Sequence, residues 1–311
     1  MTTAHVPKAT LYWFGGSVWA APAVLTKIEK GYTAEELEER IVDLGKGENF
    51  SPAFLRINPQ GTVPVLVVPW AHTVEEGIQT KYKAITGSQA VCDFLDQATL
   101  RSSAHSAPAL SPATIARAAA QKDLIELVHK EDVDPNLLLL SFRDENEAKT
   151  KFGGLVGGFL KGRQEALERF VKEVGDSDAR LKEFYQKKIQ ENGGLIAMYE
   201  GKADATEWQK AAKERWAAVA KTFAALEDKF EPNASYLVGD QVSLADLHVG
   251  AWLARVLAVS GASSVSDVPA ALSAIESQLP AGKKIGPKVA KWAEELFARE
   301  SFKTVYADGF H

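Results

Sequence analysis

Asn58-Pro59-Gln60-Gly61-Thr62-Val63-Pro64 is the stretch that decides the fold, read with the apolar run Val65-Leu66-Val67-Val68 that follows it. Val63-Pro64 stands at the mouth of a predicted strand, and proline has no N–H to give to a ladder. Proline is also the residue type for which a cis peptide bond costs only about 0.5–1 kcal/mol. The β-branched-Pro step therefore predicts a cis bond, which would turn the N–H and C=O of Val63 outward to pair with an extended, peptide-like ligand. Taken alone, the step reads first as a plain loop-to-strand proline, so its surroundings have to decide.

Upstream and downstream, strand and helix signals alternate. Thr10-Leu11-Tyr12-Trp13-Phe14 is short, apolar and aromatic, as a strand is. After Gly15-Gly16-Ser17 a helix is predicted from Ala20–Pro22, with an early proline, apolar Val24, Leu25 and Ile28 at helical spacing, and Gly31 just past its end. Arg40-Ile41-Val42-Asp43-Leu44 is predicted as a second strand, parallel to the first if the helix is a crossover. Ser51-Pro52 opens a short helix through Phe54 and Leu55; strands Val65–Val68 and Lys81–Thr86 follow, and Ser88 starts a helix with Val91, Phe94 and Leu95 on one face. The order β-α-β-α-β-β-α is that of a thioredoxin-like fold.

From Ala98 to Pro112 the chain turns to Ser, Ala and Pro, a linker composition. Beyond it the pattern is helical. Arg117–Lys130 carries Ala118, Gln121, Leu124, Ile125 and Val128 near one stripe; Glu214–Phe230 carries Trp216, Phe223, Leu226 and Phe230; Pro287–Phe302 carries Val289, Trp292, Leu296 and Phe297. These stripes read as bundle core. The predicted domains are thus 1–98, thioredoxin-like, and 112–311, all-helical. Gly153-Gly154-Leu155-Val156-Gly157-Gly158 and Asn192-Gly193-Gly194 read as hinges in an insertion over roughly 145–210, since the first lacks the Gly-Lys-Ser/Thr ending of a phosphate loop.

Composition narrows the function classes. The chain of 311 residues has net charge −5 and no Lys/Arg-rich block, which argues against a nucleic-acid groove. No apolar run approaches the ~18–20 residues of a membrane span, and Met1–Lys8 shows no leader pattern. A single cysteine, Cys92, precludes an intrachain disulfide and fits a reducing, cytoplasmic compartment. The six histidines (5, 72, 105, 129, 248 and 311) show no paired metal spacing, so no metal is expected.

Taken in order, several pieces resemble the soluble glutathione transferase superfamily, in a serine-type or fungal-like divergent form. They are Leu11-Tyr12-Trp13 before a Gly-Gly-Ser turn, Gly45–Leu55, the Asn58–Pro64 run, Gly87-Ser88-Gln89-Ala90-Val91, and Tyr236–Asp246 at the start of a central helix. Together they cover both halves of the chain. The last has its own physical cause: Ser243 is a good N-cap and Asp246 can reach back to its backbone N–H, a cap worth about 1 kcal/mol. Ser243 and Asp246 are therefore read as a structural cap.

The resemblance implies glutathione as co-substrate and conjugation of its thiolate to a small hydrophobic electrophile, a detoxifying chemistry, by a homodimer. A free thiol near pKa 8.5 needs roughly 2.7 kcal/mol of preferential interaction to drop about two units. Ser17 falls where several classes carry a catalytic serine that donates a hydrogen bond to the thiolate; the alternative is that it only shapes its turn. Trp19 would wall the hydrophobic substrate, and Tyr12, on the strand, is expected in the core. Val63 beside Pro64 would pair with the cysteinyl backbone, Ser88 and Gln89 at a helix N-terminus would hold the γ-glutamyl carboxylate, and Asn49 and Thr62 would serve the glycine end. Cys92, inside a helix, is expected to be buried and inert. Gly87 stands where the family usually has an acid, Gly61 where some serine classes have a histidine, and Pro69–Gln79 lengthens the last hairpin. A non-catalytic relative that binds hydrophobic ligands or a protein partner is the alternative those departures leave open.

Overall fold

A computed structural model describes residues 9–69, 82–98, 107–231, 234–262 and 264–311. Of the long connection Pro69–Gln79 all but Pro69, and residues 99–106 of the Ala98–Pro112 linker, lie outside the described residues. The elements in order are β1 (Ala9–Trp13), α1 (Ala21–Glu29), β2 (Leu37–Ile41), a 3-10 turn at Glu48–Phe50, α2 (Pro52–Ile57), β3 (Val65–Pro69), β4 (Tyr82–Thr86) and α3 (Ser88–Gln97). After them come α4 (Ile115–Val128), a second 3-10 turn at Glu131–Val133, α5 (Pro135–Leu140), α6 (Glu145–Phe152), α7 (Leu155–Val174), α8 (Ala179–Tyr199), α9 (Thr206–Lys229), α10 (Leu244–Val259), α11 (Val268–Glu276), α12 (Pro287–Phe297) and α13 (Glu300–Val305). The sheet runs β2-β1-β3-β4, with β1 parallel to β2 and antiparallel to β3, and β3 antiparallel to β4. This four-stranded mixed sheet followed by helices is the expected thioredoxin-like domain with an enlarged helical part.

By contacts, the chain divides into two compact units. One holds Met1–Ile41, Val63–Lys130 and Ala220–His311; the other holds Val42–Thr62 and Glu131–Val219. In the first unit β1 and β3 supply Leu11, Val65 and Leu66, all at 0% exposure, to the core. Against this core lie α1 and α3, and α10 packs on α1 and α4. Helix α10 is mostly apolar and buried from Leu244 to Leu257, with Asp246, His248 and Arg255 as polar exceptions, so it forms the centre of the unit. Its N-terminus carries the expected cap: Asp246 Oδ2 accepts from the Ser243 N–H at 2.8 Å and Oδ1 from Trp292 Nε1 at 2.8 Å. In the second unit α7 and α8 form the longest paired contact, with Leu167, Ala166, Phe170 and Tyr185 enclosing Phe50 and Leu55.

Several boundaries differ from the sequence reading. The second strand starts at Leu37, before the expected Arg40, because a turn closed by Leu37 N–H on the Thr33 carbonyl at 3.0 Å ends there. It stops at Ile41 because Asp43 takes the Lys46 N–H at 3.1 Å and bends the chain. The stripe from Pro287 breaks into α12 and α13 at Arg299, whose guanidinium is held by Glu29 at 2.7 and 2.9 Å. Gly153 and Gly154 do cap the junction of α6 and α7. Asn192-Gly193-Gly194 is no hinge: it lies inside α8, where buried Asn192 donates to the Leu160 carbonyl and to Gln164, each at 2.9 Å. A polar side chain with a good partner pins two helices instead of breaking one. Ala118, on the expected stripe of α4, is exposed.

Candidate functional site

Three segments of the first unit carry the sequence-predicted residues: the β1–α1 loop, the start of β3, and the start of α3. In the loop, the Ser17 N–H donates to the Phe14 carbonyl at 2.9 Å, and the Ser17 carbonyl accepts from Ala20 and Ala21 at 3.0 and 3.2 Å. The backbone of Ser17 thereby satisfies N–H groups at the start of α1, and its half-buried hydroxyl makes no hydrogen bond to the described residues. A hydroxyl beside a helix N-terminus is a source of positive potential for an anion. The preceding Gly16 is packed tightly, since a Cβ there would come within 2.9 Å of the Phe14 ring.

Two groups behind this loop were not read from the sequence. Arg255 of α10, 3% exposed, donates from Nη2 to the Gly16 carbonyl at 2.6 Å and so fixes the residue before Ser17. An arginine within a mostly apolar helical run was the available signal. Trp19 stacks on His129 with ring centroids 3.7 Å apart and planes 20° apart. His129 Nε2 in turn lies 3.1 Å from Nδ1 of the fully buried His248. Nothing local links a histidine after α4 to one inside α10; only the packing of those helices does. Burial, with His129 second, pushes the His248 pKa down to about 3. Burial of its inner face lowers His129 too. One face of Trp19 is therefore occupied by His129, with His248 tilted to the same ring at 6.5 Å between centroids.

The Val63–Pro64 bond is cis, as the sequence predicts. Val63 precedes β3 and takes no part in the strand pairing. At α3, Gly87 is the N-cap residue with φ 90°, and Val91 donates to its carbonyl at 3.0 Å. The N–H groups of Ser88, Gln89 and Ala90 are the first-turn donors that no helical carbonyl can reach, an anion-binding end. Ser88 is buried and Gln89 exposed. Gly87 has open space around a would-be Cβ, yet its positive φ disfavours any side chain.

Asn49 and Thr62 belong to the second unit. Asn49 is 6% exposed and its Nδ2 donates to the Gly61 carbonyl at 2.6 Å, holding the turn before Val63. Thr62 is exposed, with Oγ1 accepting from Asn58 Nδ2 at 2.9 Å. Gly61, with φ 64°, would place a Cβ 3.1 Å from the Asn49 carbonyl.

Two sequence readings about other side chains are settled by burial. Cys92 is fully buried and its pKa is pushed up to about 12 by that burial, so no thiolate forms near neutral pH. Tyr12 is only half-buried, not core, and sits with the Arg40 guanidinium 5.9 Å from its ring centroid. No group of three metal-ligating side chains occurs among the described residues. No helix among them is long and apolar enough to cross a membrane.

Comparison with known proteins agrees with this architecture. The sequence model "Glutathione S-transferase, N-terminal domain" matches residues 17–98 and "Glutathione S-transferase, C-terminal domain" matches residues 174–300. A comparison with curated proteins gives no match. Among solved structures, the β-etherase LigF from Sphingobium sp. strain SYK-6 is similar at TM-score 0.57 and 20% identity, over 97% of this chain and 99% of that one. Glutathione transferase Omega 3C from Trametes versicolor is similar at TM-score 0.52 and 18% identity, over 98% and 87%. FzlA from C. crescentus is similar at TM-score 0.52 and 16% identity, over 97% and 93%. At these identities the likeness concerns the fold.

Proposed function

Because this chain belongs to the cytosolic glutathione transferase superfamily, whose members use glutathione as co-substrate, we propose that it is a serine-type transferase joining the glutathione thiolate to a hydrophobic electrophile. The observation that carries this reading is the β1–α1 loop, where the Ser17 hydroxyl stands beside the α1 N-terminus with no partner among the described residues. Ser17 donates to the sulfur, and together with the helix end it favours the anion. The thiol proton leaves to solvent. The sulfur then forms a C–S bond to the electrophilic carbon, and the leaving group departs with its bonding pair.

In this reading Val63 pairs through its backbone with the cysteinyl residue beside Pro64, and the α3 N-terminus with Ser88 and Gln89 holds the γ-glutamyl carboxylate. Asn49 and Thr62 serve the glycine end on the family resemblance, with Asn49 acting by shaping the turn. Trp19 flanks an apolar or aromatic electrophile. Residues 1–98 are then the glutathione-binding domain and 112–311 the substrate domain, in a cytoplasmic, homodimeric, detoxifying enzyme. Exposed Tyr82, Phe94 and Ile115, at 46%, 38% and 91%, offer apolar area for a second copy. A second reading, a binding protein without turnover, is favoured by Gly87, where the tripeptide amine loses a charged partner, and by the insertion over roughly 145–210.

Calorimetry with glutathione, followed by absorbance titration of the bound thiol, tests the proposal. Micromolar to millimolar binding with a thiol pKa below about 8.5 is the expected result. Absence of binding, or a bound thiol with an unshifted pKa, would defeat the enzyme reading. The electrophile panel should include ethers, given the β-etherase among the similar folds.

A further inference from the structure

At the end of α4 an imidazole is held on three sides and is nevertheless exposed. His129 is the C-cap residue of that helix, and its N–H donates to the Ile125 carbonyl at 3.2 Å. One face of its ring stacks on Trp19, with 3.7 Å between centroids. Its Nε2 lies 3.1 Å from Nδ1 of His248 in α10, the helix packed on α4. The residue is exposed all the same, and its Nδ1 makes no hydrogen bond to the described residues. Trp19 belongs to the turn that the Ala20 N–H closes on the Ser17 carbonyl at 3.0 Å, so the stack fastens His129 to the turn that carries Ser17. All of these residues belong to the first unit.

The burial of His248 decides which nitrogen of each ring carries the proton. A neutral imidazole has one N–H donor and one bare acceptor, and between the two rings one nitrogen must donate and the other accept. If His129 Nε2 were the donor, His248 would carry its own proton on Nε2, which is buried with no partner among the described residues. That would leave an orphaned N–H in the core, a rarer and costlier defect than an under-used acceptor. His248 is therefore the Nδ1–H form and donates to His129 Nε2. With that nitrogen engaged as an acceptor, His129 carries its proton on Nδ1, the unbonded edge. Both rings stay neutral near pH 7, since burial lowers His129 to about 4 and His248 to about 3.

We propose that His129, held as the Nδ1–H form by His248, donates a hydrogen bond to an oxygen of the electrophile on which negative charge develops, and that the electrophile is an α,β-unsaturated carbonyl compound. The tautomer stands on the geometry of the histidine pair; the substrate class rests on the proposed function, which seats the electrophile beside Trp19. With such a molecule the reaction is an addition without a leaving group. The thiolate forms a C–S bond to the β-carbon, and the conjugated electron pairs shift onto the carbonyl oxygen. A solvent proton then reaches the α-carbon as the carbonyl re-forms. His129 keeps its own proton throughout. A hydrogen bond to that oxygen strengthens as charge builds, so it favours the transition state over the bound substrate, and a ring already fixed in place needs little reorganisation to give it.

Two measurements on the full chain separate these halves. The first takes long-range proton–nitrogen spectra of the wild-type imidazoles near neutral pH, with His129 assigned by its loss in His129→Gln. His129 and His248 should each show a protonated Nδ1 and a bare Nε2. A protonated Nε2 on His129 overturns the tautomer and the donor together. The second compares kcat/KM for phenyl vinyl ketone and benzyl chloride, glutathione being the thiol, in the wild type, His129→Phe and His129→Gln. Phenylalanine keeps a ring against Trp19 and removes the donor, whereas the glutamine amide can accept from His248 and still offer an N–H. The ratio of ketone to chloride rates cancels any loss of folded protein. It should fall about 10- to 100-fold in His129→Phe, the range for a hydrogen bond to a charged group, and recover part of that in His129→Gln. An unchanged ratio in His129→Phe overturns the substrate class. A wild type that binds no glutathione and conjugates neither compound overturns the proposed function and the substrate class with it, while the spectrum alone decides the tautomer.

Discussion

Acidification should destabilise this protein through His248, and the size of the effect follows from its burial. The ring is 0% exposed, Nδ1 faces His129 Nε2 at 3.1 Å, and Nε2 is buried with no partner among the described residues. Adding a proton puts a charge in the middle of α10 and leaves a second donor unpaired, so the folded pKa falls to about 3. The unfolded value is about 6.5. A histidine whose pKa is depressed by folding contributes stability that is complete above about 6.5 and is lost as the pH falls from there toward 3. The slope in that window is about 1.4 kcal/mol per pH unit, so about 2 kcal/mol goes between pH 6.5 and 5.0. That is a large part of the roughly 5–15 kcal/mol that folded domains hold. Urea unfolding of the wild type and His248→Asn near pH 7.5, 6.5 and 5.0 reads it out. The variant should be the less stable near neutrality, and the gap should close by about 2 kcal/mol on acidification. His311, also lowered by burial, steepens both curves alike, whereas His129 touches the replaced ring and belongs to the same effect. Parallel curves for the two proteins would refute the argument, because His248 would then be titrating normally in the folded state.

Ser17→Ala should leave glutathione affinity nearly intact, cut conjugation strongly and raise the pKa of the bound thiol; an unchanged rate and pKa in stopped-flow titration would pass the activating role to the α1 N–H groups. Gly87→Ala should cost about 1–2 kcal/mol in urea unfolding, because its φ of 90° is poor for any L side chain. Gly87→Glu carries that same strain, so its glutathione affinity should be compared with Gly87→Ala; a gain of several-fold over Ala shows that the γ-glutamyl amine lacks a charged partner, and no gain shows that it does not. Light scattering should give about twice the chain mass of 33.7 kDa, and Phe94→Lys should shift it toward one chain; a monomeric wild type at micromolar concentration would remove the dimer.

What the sequence determined by itself was local. Capping, turn chemistry and apolar spacing are properties of neighbours in the chain, so Ser51 before Pro52, Gly31 after α1, the Ser243–Asp246 cap and the cis Val63–Pro64 step could all be read from the residues. The order of strands and helices followed from them, and with it the fold. Strand ends were less legible, as the shift of β2 to Leu37 illustrates, because the hydrogen bonds of a turn override apolar content. Tertiary structure alone decided the rest. The stack of Trp19 on His129, the pairing of His129 with His248, the hold of Arg255 on Gly16 and the placement of Arg163 over Phe50 join residues far apart in the chain. No spacing rule connects such positions; they meet because burial of α10 and of the α7–α8 pair brings side chains from distant segments into contact.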